Sequence, residues 1–329
     1  MRIGVLCSGG DAPGMNACLR AVVRSAISAG HDVIGLRHGY QGLSQEGLVN
    51  DSESAWTLDA RSVAHIVQHG GTMLHSSRCQ SFASQAGRER AAENLRRLGI
   101  DALIPIGGDG TLRGAAELAA IWTGQIIGCP ATIDNDVIGT DFTIGFSTAV
   151  ETAVNCIDKL RDTAESHQRL FLVEVMGRHS GYLALYTAVA AGAEVACVPE
   201  VPVDAKAIVE LVSELKRRGK QSFIVVVSEG GEQGGAAALS RQLEQAGCEF
   251  PTRSVALGHI QRGGTPTPAD RILGTQLGDF AVQSILDGAT GMMAGQIDGE
   301  LVLSPLARSI EEHKPLPNDL VELLRRMSC

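Results

Sequence analysis

The chain has 329 residues, of which 44% are hydrophobic and only 4% aromatic, with 39 glycines and a formal net charge of −9. That length suggests two domains of roughly 150 residues each, and the composition suits Val/Ile/Leu strands, Ala-rich helices and many tight turns. The acidic balance argues against non-specific nucleic-acid binding, so the positive charge for any phosphate ligand has to be local.

The N-terminus MRIGVLCSGG begins as a strand rather than a secretory leader, and no segment approaches the roughly 18 apolar residues that span a bilayer, so a cytoplasmic protein is expected. Strand-like runs recur at Ile3–Leu6, Val33–Leu36, Leu103–Ile106, Ile126–Gly128, Leu170–Val175, Val195–Val198 and Phe223–Val227, with amphipathic stretches between them. That order is the signature of an α/β protein with mostly parallel sheets. GFSTAVETAVNCIDKLRDT spaces Phe146, Val150, Val154, Ile157 and Leu160 by three and four residues, one apolar face of a helix. The cysteines, at 7, 18, 79, 129, 156, 197, 248 and 329, form no CxxC pair, and several lie in apolar runs. They read as buried free thiols rather than disulfides or a zinc site.

Three stretches carry chemistry. In SGGDAPGMNA (8–17), Gly9, Gly10 and Gly14 permit close backbone approach, and a helix starting near Met15 offers its positive end to an anion. In GGDGT (107–111), Gly107, Gly108 and Gly110 bare the backbone for a phosphate, and Asp109 can hold a Mg²⁺ that bridges nucleotide oxygens. The plainer reading makes Asp109 the N-cap of the next helix. Both stretches run strand, Gly-Gly-Asp, helix, so at neighbouring strand ends they would present two rows of backbone N–H groups to one crevice. In PATIDNDVIGTDFTIGFSTA (130–149), Thr132, Asp134 and Asp136 alternate, and an extended chain aims all three at one face, suiting a general base beside a metal ligand. The competing reading is a loop rich in Asx turns.

Taken with RDTAESHQR (161–169), VEVMGRHSGYLAL (173–185), VPE (198–200), SEGG (228–231) and LGHIQRGGTPTPADR (257–271), these motifs make the chain resemble bacterial-type ATP-dependent 6-phosphofructokinases over nearly its whole length. NAD kinases and lipid kinases share GGDGT-like turns but not the second half. The resemblance implies two similar three-layer α/β domains with mostly parallel sheets facing across an active-site cleft. Residues 1–145 plus 261–311 would form the larger, ATP/Mg-binding domain, and 146–260 plus 312–329 the smaller, sugar-phosphate-binding one. It further implies transfer of the γ-phosphoryl of ATP to the 1-hydroxyl of fructose 6-phosphate, with Mg²⁺, in a homotetramer whose active sites are shared between subunits.

Residue by residue, the resemblance makes Asp134 the general base, Asp109 and Asp136 the magnesium acids, and Thr132 the hydroxyl near the transferred phosphoryl. Arg178 would reach the γ-phosphate. Gly10, Arg78, Cys79, Gly108, Gly110 and Thr111 would line the donor. Ile133, Met176, Gly177, Glu229, Ile260 and Gln261 would meet the sugar. Arg169, Arg253, His259 and Arg262 would hold the 6-phosphate, with Arg169 and Arg253 supplied by a neighbouring subunit. Arginine suits these tasks because its planar fork binds two oxygens at once. Pyrophosphate-using relatives typically carry Asp at position 110 and Lys at 131; Gly110 and Ala131 are small and neutral, which favours ATP over that alternative, although ATP users usually have Gly at 131. A non-catalytic sugar-phosphate-binding paralogue would lack the base or a metal acid, and all three acids are present. An effector site for ADP and phosphoenolpyruvate is matched in part, at Arg20, Arg24, Arg161, Glu194, Arg218 and Lys220. Arg61, Ala64, His65, Gln221 and Ser222 depart from it.

Overall fold

The computed structural model describes residues 1–48, 51, 53–202, 204–230 and 234–328; Gly231 of the SEGG motif and Cys329 lie outside the described residues. The first half runs β1 (Arg2–Cys7), α1 (Met15–Ser28), β2 (Asp32–Leu36), α2 (Gly39–Leu43), β3 (Ala55–Leu58), α3 (Gln85–Arg97), β4 (Ala102–Gly107), α4 (Asp109–Ala119) and β5 (Gln125–Pro130). It continues with α5 (Phe146–His167), β6 (Leu170–Val175), α6 (Tyr182–Ala190), β7 (Val195–Cys197), α7 (Ala205–Arg217), β8 (Phe223–Ser228), α8 (Gly235–Gln245) and β9 (Thr252–Ala256). Last come α9 (Pro268–Leu286), β10 (Met292–Ile297), β11 (Glu300–Pro305), α10 (Arg308–Glu311) and α11 (Asn318–Met327). Two units result: Met1–Thr132 with Asp136–Ser147 and Arg262–Lys314, and Ile133–Asn135 with Thr148–Gln261 and Pro315–Cys329.

The first unit is built on a seven-stranded sheet in the order β11-β10-β5-β4-β1-β2-β3. Its inner pairings are parallel and its two edge pairings antiparallel. Strand β4 is buried along its whole length and β1 after its first residue, the mark of strands covered on both faces. One face packs Leu6, Leu36, Leu103 and Ile126 against Leu95 of α3 and Leu112 and Leu118 of α4. Helix α9 meets α1 through two glycines one turn apart. A methyl group on Gly274 would lie 2.9 Å from the Gly14 carbonyl oxygen, and one on Gly278 would lie 2.5 Å from that of Cys18. Glycine at both positions lets the two backbones close up, fixing where α1 begins.

The second unit has a four-stranded, all-parallel sheet in the order β7-β8-β6-β9. Leu170, Leu172, Phe223, Val225 and Val227 pack against Ile208, Val212 and Leu215 of α7 and Leu239 and Leu243 of α8. The apolar stripe of α7 follows from its spacing of four and three, and the Asp204 carboxylate caps the helix by accepting from the Lys206 N–H at 2.9 Å.

All seven runs read as strands are strands, with ends within two residues of those read. Four strands carry weaker signals: β3, β9 and the hairpin β10–β11. The hairpin turn is Asp298-Gly299, with φ of 51° and 85°, the left-handed pair that matches the twist of its strands. Every described cysteine is a free thiol, and burial pushes those of Cys7 and Cys197 up to about 12. No described helix is long and apolar enough to cross a membrane.

Candidate active site

In the first unit β1 and β4 are parallel neighbours in register Cys7 to Ile106, so the two Gly-Asp turns leave the sheet side by side. Backbone and hydroxyl bonds knit them together. Ser8 N–H donates to the Ile106 carbonyl at 3.0 Å, and the Thr111 hydroxyl donates to the Ser8 carbonyl at 2.9 Å. A side chain on Gly107 would strike the Ser8 carbonyl and Thr111, so only glycine fits between the turns. Gly9, at φ 84°, donates its N–H to the Ser77 carbonyl at 3.1 Å and accepts from the Ser76 hydroxyl at 2.7 Å. That ties down the segment carrying Arg78 and Cys79, and the exposed Arg78 stands beside the first turn. Helix α1 then starts behind Gly14, at φ 106°.

The second turn differs in one respect from the capping alternative. Gly108 is the N-cap, and Asp109 is the first helical residue, half-exposed and 3.5 Å from Arg113 one turn on. A carboxylate there complements the positive end of α4 and still points an oxygen donor at solvent. Gly110 has open space where a side chain would be. Thr111 is buried, and its carbonyl accepts from the Tyr40 hydroxyl at 2.8 Å. Beyond β5, Ala131 donates to the Gly107 carbonyl at 2.9 Å, bringing Thr132 within 3.1 Å of where a methyl group on Gly108 would sit.

The stretch that follows is not extended. Residues 133–134 bend and Asn135 takes φ 50°, so Thr132, Asp134 and Asp136 do not alternate along one strand face as the spacing alone suggests. Asn135 supplies the left-handed residue that the bend requires, a conformation asparagine tolerates better than most. Ile133–Asn135 group with the second unit, while Thr132 and Asp136 belong to the first. Asp134 is only 7% exposed, and the Ser180 hydroxyl donates to its carbonyl at 2.8 Å. Near Asp136, Lys314 donates to the Asp141 carbonyl at 2.6 Å, and burial draws its ammonium down to about 8 against the pull of Asp141 and Asp136.

In the second unit β6 and β8 end together, Val175 opposite Ser228. Met176, Gly177 and Arg178 leave one strand and Glu229 the other, with Glu229 N–H on the Val175 carbonyl at 2.7 Å. Gly177 at φ 138° and Arg178 at φ 52° swing the chain so that the Arg178 side chain is exposed. Gly230, at φ 80°, packs under the Arg178 carbonyl, where a methyl group would come within 2.7 Å.

Arg169 and Arg253 are not brought to this end. Arg169 precedes β6, Arg253 pairs with Phe171 near the start of β9, and six residues of strand carry the chain on to Val175. At about 3.3 Å per residue that is roughly 20 Å. His259 and Ile260 are exposed in the short helical turn Gly258–Arg262, while Gln261 is fully buried with its Oε1 unpartnered. Arg262 donates to the Asp11 carbonyl at 3.1 Å, inside the first unit.

Of the residues matched to an effector site, Arg20 and Arg24 lie on α1 and Arg161 on α5. Arg161 caps the Ala191 and Gly192 carbonyls. Arg218 holds Glu214 at 2.9 Å. The buried Glu194 is taken up by the Lys220 ammonium and, at 2.6 Å, by the Ile224 N–H.

Several supporting residues escaped the sequence reading. Asp270 is 1% exposed, accepts the Gly145 N–H at 2.8 Å and lies against Gly14, joining the starts of α9, α5 and α1. Its signal was a lone acid in PTPADR just after a Pro at a helix start. Asn16, buried in PGMNA, donates to the His69 and Gly70 carbonyls and accepts from Met73 N–H. Lys314 carried no signal.

Residues 2–285 match the family model described as Phosphofructokinase. The chain belongs to the phosphofructokinase family. The chain is 50% identical over 322 residues to an ATP-dependent 6-phosphofructokinase 1 of Thermus thermophilus, covering 98% of each. To the ATP-dependent 6-phosphofructokinase of Paenibacillus macquariensis it is 46% identical, over 99% of this chain and 98% of that one. The solved phosphofructokinase of Saccharomyces cerevisiae superposes with a TM-score of 0.85 at 33% identity over 99% of this chain, which spans 47% of the yeast chain. The parallel-dominated α/β architecture is thus the phosphofructokinase fold.

Proposed function

We propose that this phosphofructokinase transfers the γ-phosphoryl of ATP to the 1-hydroxyl of fructose 6-phosphate, giving fructose 1,6-bisphosphate and ADP. The observation that carries the reading is the knitted pair of Gly-Asp turns on adjacent strands β1 and β4, with Thr132 packed onto Gly108. The first unit takes the donor: backbone N–H groups of the turns, the α1 and α4 N-termini, Arg78 and Cys79 receive its phosphates. The second takes the sugar, at Met176, Gly177 and Glu229.

Asp109 and Asp136 suit Mg²⁺. Both offer hard oxygen donors, Asp109 to solvent beside the bare Gly110. Among the described residues no cluster of three or more acids, histidines or cysteines is assembled for a metal. Mg²⁺ ordinarily keeps waters and substrate phosphates beside one or two carboxylates, so two acids suffice. When bound, the ion would offset the charge on the donor's phosphates.

In the transfer, Asp134 accepts the proton of the 1-hydroxyl as that oxygen bonds to the γ-phosphorus and the β–γ bridging oxygen departs with ADP. Arg178 follows the charge on the equatorial oxygens, and Thr132 donates to the same group. Arg169 and Arg253 sit at the far end of β6 and β9 from Met176, which supports their serving another subunit's site in a homo-oligomer, a tetramer by resemblance. We place the enzyme in the cytoplasm. A coupled assay with purified protein, fructose 6-phosphate and Mg²⁺ tests the reading. Turnover with ATP and little with pyrophosphate is expected. Turnover with pyrophosphate alone overturns the donor, and none with either overturns the activity.

A further inference from the structure

Gly9, Gly10 and Gly14 sit in one turn, but they are glycines for different reasons. Gly9 and Gly14 take φ of 84° and 106°, which side-chain-bearing residues rarely adopt. Gly10 lies outside the left-handed region, so its backbone does not require glycine. Space does. A methyl group on Gly10 would fall 2.5 Å from Nη1 of Arg262, 3.1 Å from its Cζ and 3.4 Å from its Nη2. The guanidinium occupies the place a side chain would take, and Nη1 donates to the next carbonyl, that of Asp11, at 3.1 Å.

The chain around Arg262 is seated by a second gap of the same kind. A side chain on Gly70 would strike the Gly264 carbonyl. Gly70 is itself held by buried Asn16, which grips His69, Gly70 and Met73. On the far side, Asp270 anchors the start of α9. Arg262 therefore reaches the donor turn from a fixed backbone, and Gly10 decides whether its guanidinium can dock there. One N–H is committed to Asp11, and the planar fork carries further N–H groups able to bind an anion.

We propose that Gly10 is a specificity-determining position for the phosphorylated acceptor: its bare Cα is the seat of Arg262, so one residue of the donor turn sets how firmly the sugar's phosphate is held. The proposal rests on the functional reading above, in which Arg262 binds the 6-phosphate. It makes an unexpected demand, that a methyl group in the donor turn weakens the acceptor.

The test is a double-mutant cycle of wild type, Gly10→Ala, Arg262→Ala and the double variant, with kcat, both KM values and the thermal unfolding transition measured for each. Gly10→Ala should raise KM for fructose 6-phosphate tenfold or more, and raise KM for ATP by a smaller factor. In the Arg262→Ala background the same substitution should add less than a twofold rise, because the group it displaces is already gone. Additive effects, or a larger rise for ATP than for the sugar, overturn the proposal. If Gly10→Ala alone does not fold, the double variant decides: a wild-type-like transition supports the seat, and its absence refutes it. Failure of the functional reading looks different, since wild type would then not turn over fructose 6-phosphate with ATP, and the unfolding transitions of the four proteins would still decide the seat.

Discussion

In the first unit the two Gly-Asp turns proposed to take the donor are closed almost entirely by backbone and hydroxyl bonds: Ser8 to Ile106, Thr111 to Ser8, Gly9 to Ser77. In the second, the strand ends after β6 and β8 carry side chains, buried Met176, exposed Arg178 and half-buried Glu229, on a backbone bent by three positive φ values at Gly177, Arg178 and Gly230. A phosphate can be gripped by N–H groups whatever the side chains, whereas a sugar has to be read group by group. The donor region should therefore respond to added atoms, and the acceptor and transfer groups to removed ones.

The largest effect belongs to the transfer group. Asp134→Asn keeps the shape and removes the proposed base, so kcat should fall about 10²–10⁴-fold while KM for fructose 6-phosphate changes little. Steady-state kinetics check this, and near wild-type turnover would exclude the role. Next is the arginine at the wrong end of β6. Arg169→Ala removes charge-assisted bonds worth about 1.5–3 kcal/mol, roughly a 10- to 150-fold rise in the sugar's KM. Mixed with Asp134→Asn protein under confirmed subunit exchange, it should recover activity; none recovered would end the shared-site picture.

Within the donor turn, two neighbouring glycines sharpen the contrast. Gly107→Ala drives a methyl group into the Ser8 carbonyl and should cost about 1–3 kcal/mol, lowering Tm in a thermal scan. Gly110→Ala meets open space in the first turn of a helix and should be neutral or raise stability by about 0.4–1 kcal/mol. Equal effects at both would show that packing does not explain the turn. The smallest expected effect is in regulation. With Glu194 already closed by Lys220 and Ile224 N–H, titrating ADP or phosphoenolpyruvate at sub-saturating sugar should move half-saturation by less than tenfold, about 1.4 kcal/mol.

Local patterns carried much of this into the sequence. Parallel strands buried on both faces leave unbroken apolar runs, so β1, β4, β6 and β8 were legible, as was the stripe along α5. The edges were harder: β9 is TRSVA, exposed along most of its length, with no alternation to read. The hairpin β10–β11 did carry its Asp-Gly signal, between apolar runs. The spacing of Thr132, Asp134 and Asp136 misled because a single left-handed Asn135 undoes a period of two. Motifs located Gly10, Asp109 and Arg262, but that Gly10 and Arg262 touch is a contact 252 positions apart in sequence.

Arg178 shows what such a site asks of the whole molecule. Held at φ 52°, with Gly230 wedged beneath its carbonyl, it keeps a branchless but bulky side chain where glycine would rest more easily, at about 1–3 kcal/mol. Endurance and turnover therefore pull this position in opposite directions. A lineage selected only to survive heat would drift toward glycine at 178 and lose the cation proposed to meet the moving phosphoryl group; on that reading arginine persists there only while the reaction is worth more than the strain.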